Sequence, residues 1–178
     1  MAATLPPIDR LPSLPAPDRA AVLDLLFEPC TALHDLANPH LASLTFSSYD
    51  DLIDHVGVLL SRLASASPSS VEISHLESIL GAHPRLGAKK VESAQSQAEQ
   101  AQLNRGGGGV EEAQKLQELN EEYEKAYPGL RYVVFVNGRS RPVIMENMKT
   151  RIARGDIAAE RADAIKVRDG HVVMRTHQ

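Results

Sequence analysis

The segment His83-Pro84-Arg85-Leu86-Gly87 sets a titratable imidazole beside a rigid proline, with a guanidinium two residues on and a glycine to relax the backbone. An unperturbed imidazole titrates at about 6.5, so it can take and return a proton near neutral pH when its mounting is fixed. Further along, Ser96-Gln97-Ala98-Glu99-Gln100 places a hydroxyl, a carboxylate and an amide at positions 96, 99 and 100, the i, i+3, i+4 pattern that shares one helix face. Together these groups suit acid–base work on a small polar molecule. By spacing alone each has a commoner reading: His83 as a charge partner at a helix exit, and the Ser96–Gln100 face as a solvated one with a capping-box-like pair.

Other chemistries find little support in the spacing. His83 has no second histidine three or four residues away, and His34, His40, His55, His75, His171 and His177 are scattered, so no metal site is expected. There is no Gly-x-Ser-x-Gly elbow for a serine nucleophile. Gly106-Gly107-Gly108-Gly109 lacks the following Lys-Ser/Thr and the preceding strand of a phosphate-binding loop, and reads as a connector. Cys30 is the single cysteine, which excludes an internal disulfide and a thiolate zinc cluster and fits a reducing, intracellular compartment.

The 178 residues, 43% hydrophobic and 24% charged, suffice for one globular domain with one sizeable core. No apolar run approaches the roughly 18–20 residues of a membrane span, and the N-terminus lacks the features of a secretory signal. A net charge of −4 and an aromatic content of 4% without tryptophan argue against nucleic-acid binding. The charge is uneven: residues 1–138 carry 10 Lys and Arg against 18 Asp and Glu, residues 139–178 nine against five. That basic tail either holds a small anion or docks on the acidic remainder. The ending Arg175-Thr176-His177-Gln178 is not a Ser-Lys-Leu signal, so the cytoplasm is the expected compartment.

The elements that must position these groups are helical. Prolines at 6, 7, 12, 15 and 17 predict an extended, proline-rich arm over residues 1–17, outside a helical domain of residues 18–178. From Asp18, read as an N-cap, apolar residues recur at helical spacing until Pro29 ends or kinks the segment. Leu52, Val56, Leu59, Leu60 and Leu63 predict a helix after Ser47-Ser48, with Asp50, Asp51 and Asp54 early in it. Ile73, Leu76, Ile79 and Leu80 predict another, stopping at Gly81 just before His83. Residues 89–104 favour helix but have few apolar anchors. Leu116, Leu119 and Tyr123 lie on a helix closed by Pro128-Gly129, and Tyr132–Val136 is one buried extended run, too little for a sheet. Two helices follow, separated at Gly155-Asp156, the second with a turn signal at Asp169-Gly170. The sum is an all-α bundle of about seven or eight helices around one core.

Taken together and in order, Gly81-Ala82-His83-Pro84-Arg85-Leu86-Gly87, Ser96-x-x-Glu99-Gln100, Leu116-x-x-Leu119-Asn120-x-x-Tyr123, the Tyr132–Val136 run and Gly138-Arg139-Ser140-Arg141 resemble the 2-oxo-4-hydroxy-4-carboxy-5-ureidoimidazoline (OHCU) decarboxylase family. The resemblance covers roughly residues 18–176. It implies an all-helical, cofactor-free lyase of purine breakdown that converts the urate-derived OHCU to (S)-allantoin and carbon dioxide, in a homodimer. It makes His83, Glu99 and a C-terminal arginine catalytic: Arg175, with Arg168 as the rival position. It makes Pro84, Ser96, Gln100 and the backbone of Tyr132, Val133, Val134, Phe135 and Val136 substrate-binding. The sequence departs from the family's commoner His-Pro-Asp-Leu-Ala-Gly in reading His-Pro-Arg-Leu-Gly, and its four glycines look like a local insertion.

In the implied substrate the carboxylate sits next to a carbon–nitrogen double bond, which is an electron sink, so pyridoxal phosphate or thiamine is not needed. Two other readings stay open. One is a helical interaction module that has kept the fold and lost the reaction. The other is a histidine phosphotransfer domain, of which Ala82-His83-x-x-Leu86-Gly87 is a faint echo, although Pro84 cannot lie within the helix such a histidine needs.

Overall fold

A computed structural model describes residues 4–67, 70–88, 97, 101, 109–136 and 138–176, of which 168–176 are described by their backbone alone. Among the described residues the chain forms one 3-10 helix and seven α-helices, with no strand. None of these helices is long and apolar enough to cross a membrane.

The proline-rich start is not extended throughout. Ile8–Ser13 form the 3-10 helix with Pro12 inside it, and Leu11 is fully buried in the common core. Proline's fixed φ near −65° lies within the 3-10 range, so the residue that forbids an α-helix interior is compatible with this tighter turn. The Tyr49 hydroxyl donates to the Pro6 carbonyl at 2.6 Å and ties the segment down. Helix α1 (Ala16–Leu26) starts two residues before the expected cap: Pro17 occupies its first turn, where a missing N–H costs nothing, and Asp18 lies inside that turn.

Pro29 separates α1 from α2 (Thr31–Ser43), giving two helices rather than one bent one. Helix α3 (Tyr49–Ala64) begins at Ser48, whose Oγ accepts from the Asp51 amide at 3.1 Å, while the Asp51 carboxylate accepts from the Ser47 amide at 2.9 Å. That reciprocal pairing satisfies two donors at the helix start. Ser70 caps α4 (Val71–Leu80) on one side only, its Oγ accepting from the Ile73 amide at 3.3 Å. Helix α5 (Val110–Ala126) buries Leu116, Leu119, Asn120 and Tyr123, the motif positions. Gly155, at φ 65°, closes α6 (Arg141–Arg154), and Asp156 caps α7 (Ile157–Thr176) by accepting from the Ala159 amide at 3.0 Å. The backbone of α7 continues through Asp169-Gly170 without the expected turn. One interior glycine costs a helix only about 1 kcal/mol relative to alanine, less than a turn signal suggests.

Helix α3 packs along α7, α5 against α6, α1 against α2, and α3 and α2 against α4. The shared core is aliphatic, with Tyr123, Tyr127 and Tyr132 grouped where α5 meets the extended run.

Candidate functional site

Helix α4 delivers His83. Its last turn closes with the Gly81 amide donating to Glu77 O at 2.7 Å. A Cβ on Gly81 would lie 2.7 Å from the Gly129 carbonyl oxygen and 2.9 Å from that of Glu77, so the helix exit and the 128–130 turn touch backbone to backbone. Gly129 itself sits at φ 84°, against the Glu77 side chain. The turn that starts the Tyr132–Val136 run is thereby held against the turn that carries His83.

The loop beyond His83 is fastened to α5 at three points. Arg85 grips Glu124 with Nε to Oε1 at 2.7 Å and Nη2 to Oε2 at 2.6 Å, and Arg131 reaches the same carboxylate at 2.6 Å. Burial would raise the Glu124 pKa, but hydrogen bonds from Arg85 and the charge of Arg131 hold it below the ordinary carboxylate value. Asn120 Nδ2 donates to the Leu86 carbonyl at 3.0 Å, and Leu86 is buried. Gly87 adopts φ 84° where a Cβ would press on Leu116 at 2.9 Å. The Leu116–Tyr123 motif thus packs α5 and also clamps the histidine loop. Pro84 is half-buried beside His83.

His83 faces a carboxylate that the sequence reading did not single out. Its Nδ1 lies 3.8 Å from Glu28 Oε1, and both side chains are largely withdrawn from solvent, at 12% and 8% exposure. That is too long for a direct hydrogen bond but close enough for strong attraction in a dry setting. The available signal was a single acid within the apolar Leu25-Leu26-Phe27-Glu28-Pro29.

The Tyr132–Val136 run is extended and unpaired by any strand among the described residues. Side chains hold its carbonyls instead. Arg151 Nη1 donates to Val133 O at 2.9 Å, and the Arg139 guanidinium reaches the carbonyls of Phe135 and Val136. Arg151 also stacks 4.9 Å from the Tyr132 ring centre and pairs with the fully buried Glu160, which accepts from Tyr123 at 2.5 Å. Burial pulls Arg151 toward its neutral form, and the hydrogen bonds and charge of Glu160 more than offset it, so its pKa rises. Burial pushes the Tyr132 phenol up to about 12, which keeps it a hydroxyl donor, here to Asn147 Oδ1 at 2.7 Å. Among the described residues none accepts from the amides of Tyr132, Val133, Val134 or Val136, and these four residues are buried. Buried amides of this kind call for a partner.

A cavity of about 700 Å³ lies on the far part of the same loop, lined by Arg85–Ala88, the first half of α5 and Arg141. It does not include His83. No group of three or more His, Cys, Asp or Glu side chains among the described residues is arranged to hold a metal ion.

Of the remaining expected site residues, Ser96, Glu99 and Gln100 lie outside the described residues. Arg168 and Arg175 both belong to the continuous backbone of α7, about two turns apart, with Arg175 in its last turn. The structure therefore brings together His83, Pro84, the loop to Gly87 and, through the Gly81–Gly129 contact, the start of the 132–136 run.

Compared with known proteins, residues 12–168 match the family model described as OHCU decarboxylase. No curated protein matches the chain.

Proposed function

The chain belongs to the OHCU decarboxylase family, and from that premise we propose that it converts 2-oxo-4-hydroxy-4-carboxy-5-ureidoimidazoline to (S)-allantoin and carbon dioxide in urate breakdown. His83 accepts the proton of the substrate hydroxyl. The bond to the carboxylate carbon then breaks, carbon dioxide leaves, and the electron pair passes into the adjacent carbon–nitrogen bond. A proton delivered to the ring carbon that bears the ureido group, with the former hydroxyl carbon becoming a carbonyl, completes allantoin and sets its stereocentre. The ring nitrogen that received the electron pair takes a further proton from solvent, so one proton is consumed for each carboxylate lost as carbon dioxide; no electron is gained or lost overall, and the reaction requires no redox partner.

The observation that carries this reading is the mounting of His83: a proline at its side, a glycine-only contact behind it and a bidentate Arg85–Glu124 clamp after it. A surface histidine needs none of these. Fixed placement is what lets one acid–base group contribute its typical ~10²–10⁴ in rate. The backbone of Tyr132–Val136, with buried amides at Tyr132, Val133, Val134 and Val136, supplies donors for ring and ureido oxygens, Glu99 keeps the imidazole or ureido group in its working protonation state, and Ser96 and Gln100 orient the ring. Arg175 binds a carboxylate or carbonyl oxygen through its paired donors.

The test generates OHCU from urate with urate oxidase and hydroxyisourate hydrolase and follows allantoin by circular dichroism. Addition of the protein should speed the appearance of the (S) enantiomer. An unchanged, racemic time course would favour an interaction module that keeps only the fold.

A further inference from the structure

We propose that Glu28 is the positioning residue of His83: its carboxylate holds the neutral imidazole as the Nδ1–H tautomer, which makes Nε2 the nitrogen that exchanges the proton. This rests on His83 being the acid–base group of the proposed decarboxylation.

The two side chains are carried by parts of the fold that are joined to each other. Glu28 follows α1, between the buried Phe27, whose amide donates to Leu23 O at 2.7 Å, and Pro29, whose ring narrows the preceding backbone. Immediately afterwards, α2 is tied to α4. His75 Nε2 donates to the Ala32 carbonyl at 2.8 Å, and Cys30 Sγ approaches the Ser78 carbonyl at 3.8 Å. Helix α4 ends three residues before His83. Carboxylate and imidazole are therefore set 3.8 Å apart by two helices that cannot slide independently.

Chemistry fixes the tautomer. An ionised carboxylate only accepts hydrogen bonds, so the ring nitrogen it faces is stabilised as N–H, and here that nitrogen is Nδ1. The other nitrogen then carries the lone pair. When Nε2 takes a proton the ring becomes a cation, and the nearby carboxylate stabilises it in a setting of low dielectric. A separation somewhat beyond hydrogen-bond length is ordinary for such a pair before substrate closes the site. The other charge on the same loop, Arg85, is turned to Glu124 on α5.

The tautomer is read directly from the imidazole nitrogens of 15N-labelled protein without substrate, with the His83 signals identified by their loss in His83→Asn. Neutral His83 is expected as Nδ1–H in the parent and in Glu28→Asp, and as Nε2–H in Glu28→Leu, which removes the acceptor. In the enzymatic assay Glu28→Leu should lose kcat by roughly 10- to 100-fold, a part of what a positioned acid–base group supplies, with KM little changed. An Nε2–H ring in the parent, or the parent's tautomer persisting in a folded Glu28→Leu, overturns the proposal. Because the tautomer is measured without turnover, a parent with an Nε2–H ring and full activity sinks this inference alone. A parent with an Nδ1–H ring and no activity sinks the catalytic reading of His83, and this proposal with it.

Discussion

Gly81 approaches Gly129 so closely that a single added methyl would meet the Gly129 carbonyl oxygen at 2.7 Å. Helix α4 and the entrance to the 132–136 run are thereby locked together at a point three residues from Tyr132 on one side and two from His83 on the other. The two atoms that methyl would meet, the carbonyl oxygens of Gly129 and Glu77, belong to the backbone, so neither can swing aside. Gly81→Ala should destabilise the fold by about 1–3 kcal/mol, as overpacking does, and should lower activity more than Leu76→Val, a cavity-forming change elsewhere in α4. Urea unfolding together with the allantoin assay checks both.

Arg85 is 41% exposed, so its pair with Glu124 adds little to stability, at most about 1 kcal/mol. Its consequence is geometric, because it fixes the loop that carries His83. Arg85→Ala is expected to leave the unfolding midpoint nearly unchanged while lowering kcat by up to about 10²-fold, the scale of a misplaced reacting group. Steady-state kinetics beside a thermal melt separates the two effects.

Glu160 is fully buried and neutralises Arg151, which in turn holds the Val133 carbonyl and the Tyr132 ring. Glu160→Gln leaves that guanidinium buried beside a neutral amide. Breaking a buried pair from one side costs about 3–5 kcal/mol, so this variant should unfold at distinctly lower urea than the parent.

The parts of the fold that were legible in the sequence are those set by local chemistry. Ser48 announces α3 because a serine hydroxyl can satisfy a helix's first amides from its own position in the chain. The prolines alone do not separate an extended arm from the 3-10 helix of Ile8–Ser13, because proline's φ suits both and only burial of Leu11 decides between them. Asp169-Gly170 signals a turn that the α7 backbone does not make. At the candidate site, His83 stands out in the sequence through Pro84 and its glycines. Glu28 does not, because its distance to His83 is set by the packing of α1, α2 and α4 and no pattern spans that separation. The Arg151–Glu160 pair was hidden likewise, since it forms across the Gly155 turn between two helices. Ser96, Glu99 and Gln100 remain readings of sequence and family.

His55 ties acidity to stability. Its Nε2 lies 3.1 Å from His40 Nδ1 and its ring stands edge-on to Phe46. Burial, with the charges of His40 and Arg62, lowers its pKa below the ordinary 6.5, against an opposing pull from Asp51. A histidine depressed in the folded state binds its proton more readily unfolded, so stability rises with pH through this window and falls as pH drops below about 6.5. Replacing His55 with Gln should flatten that acid-side loss, seen as a smaller change in urea midpoint between pH 7.5 and pH 5, on the order of the titration range of one imidazole.

In the proposed reaction the imidazole of His83 moves the proton in the carbon–carbon cleavage. That role is tested most directly by His83→Ala in the coupled urate assay, with its far-ultraviolet spectrum and melt compared with the parent. The expected result is a folded protein that yields (S)-allantoin no faster than the spontaneous reaction, a loss on the order of 10²–10⁴. A folded His83→Ala protein that still produces the (S) enantiomer at the parent's rate would contradict it.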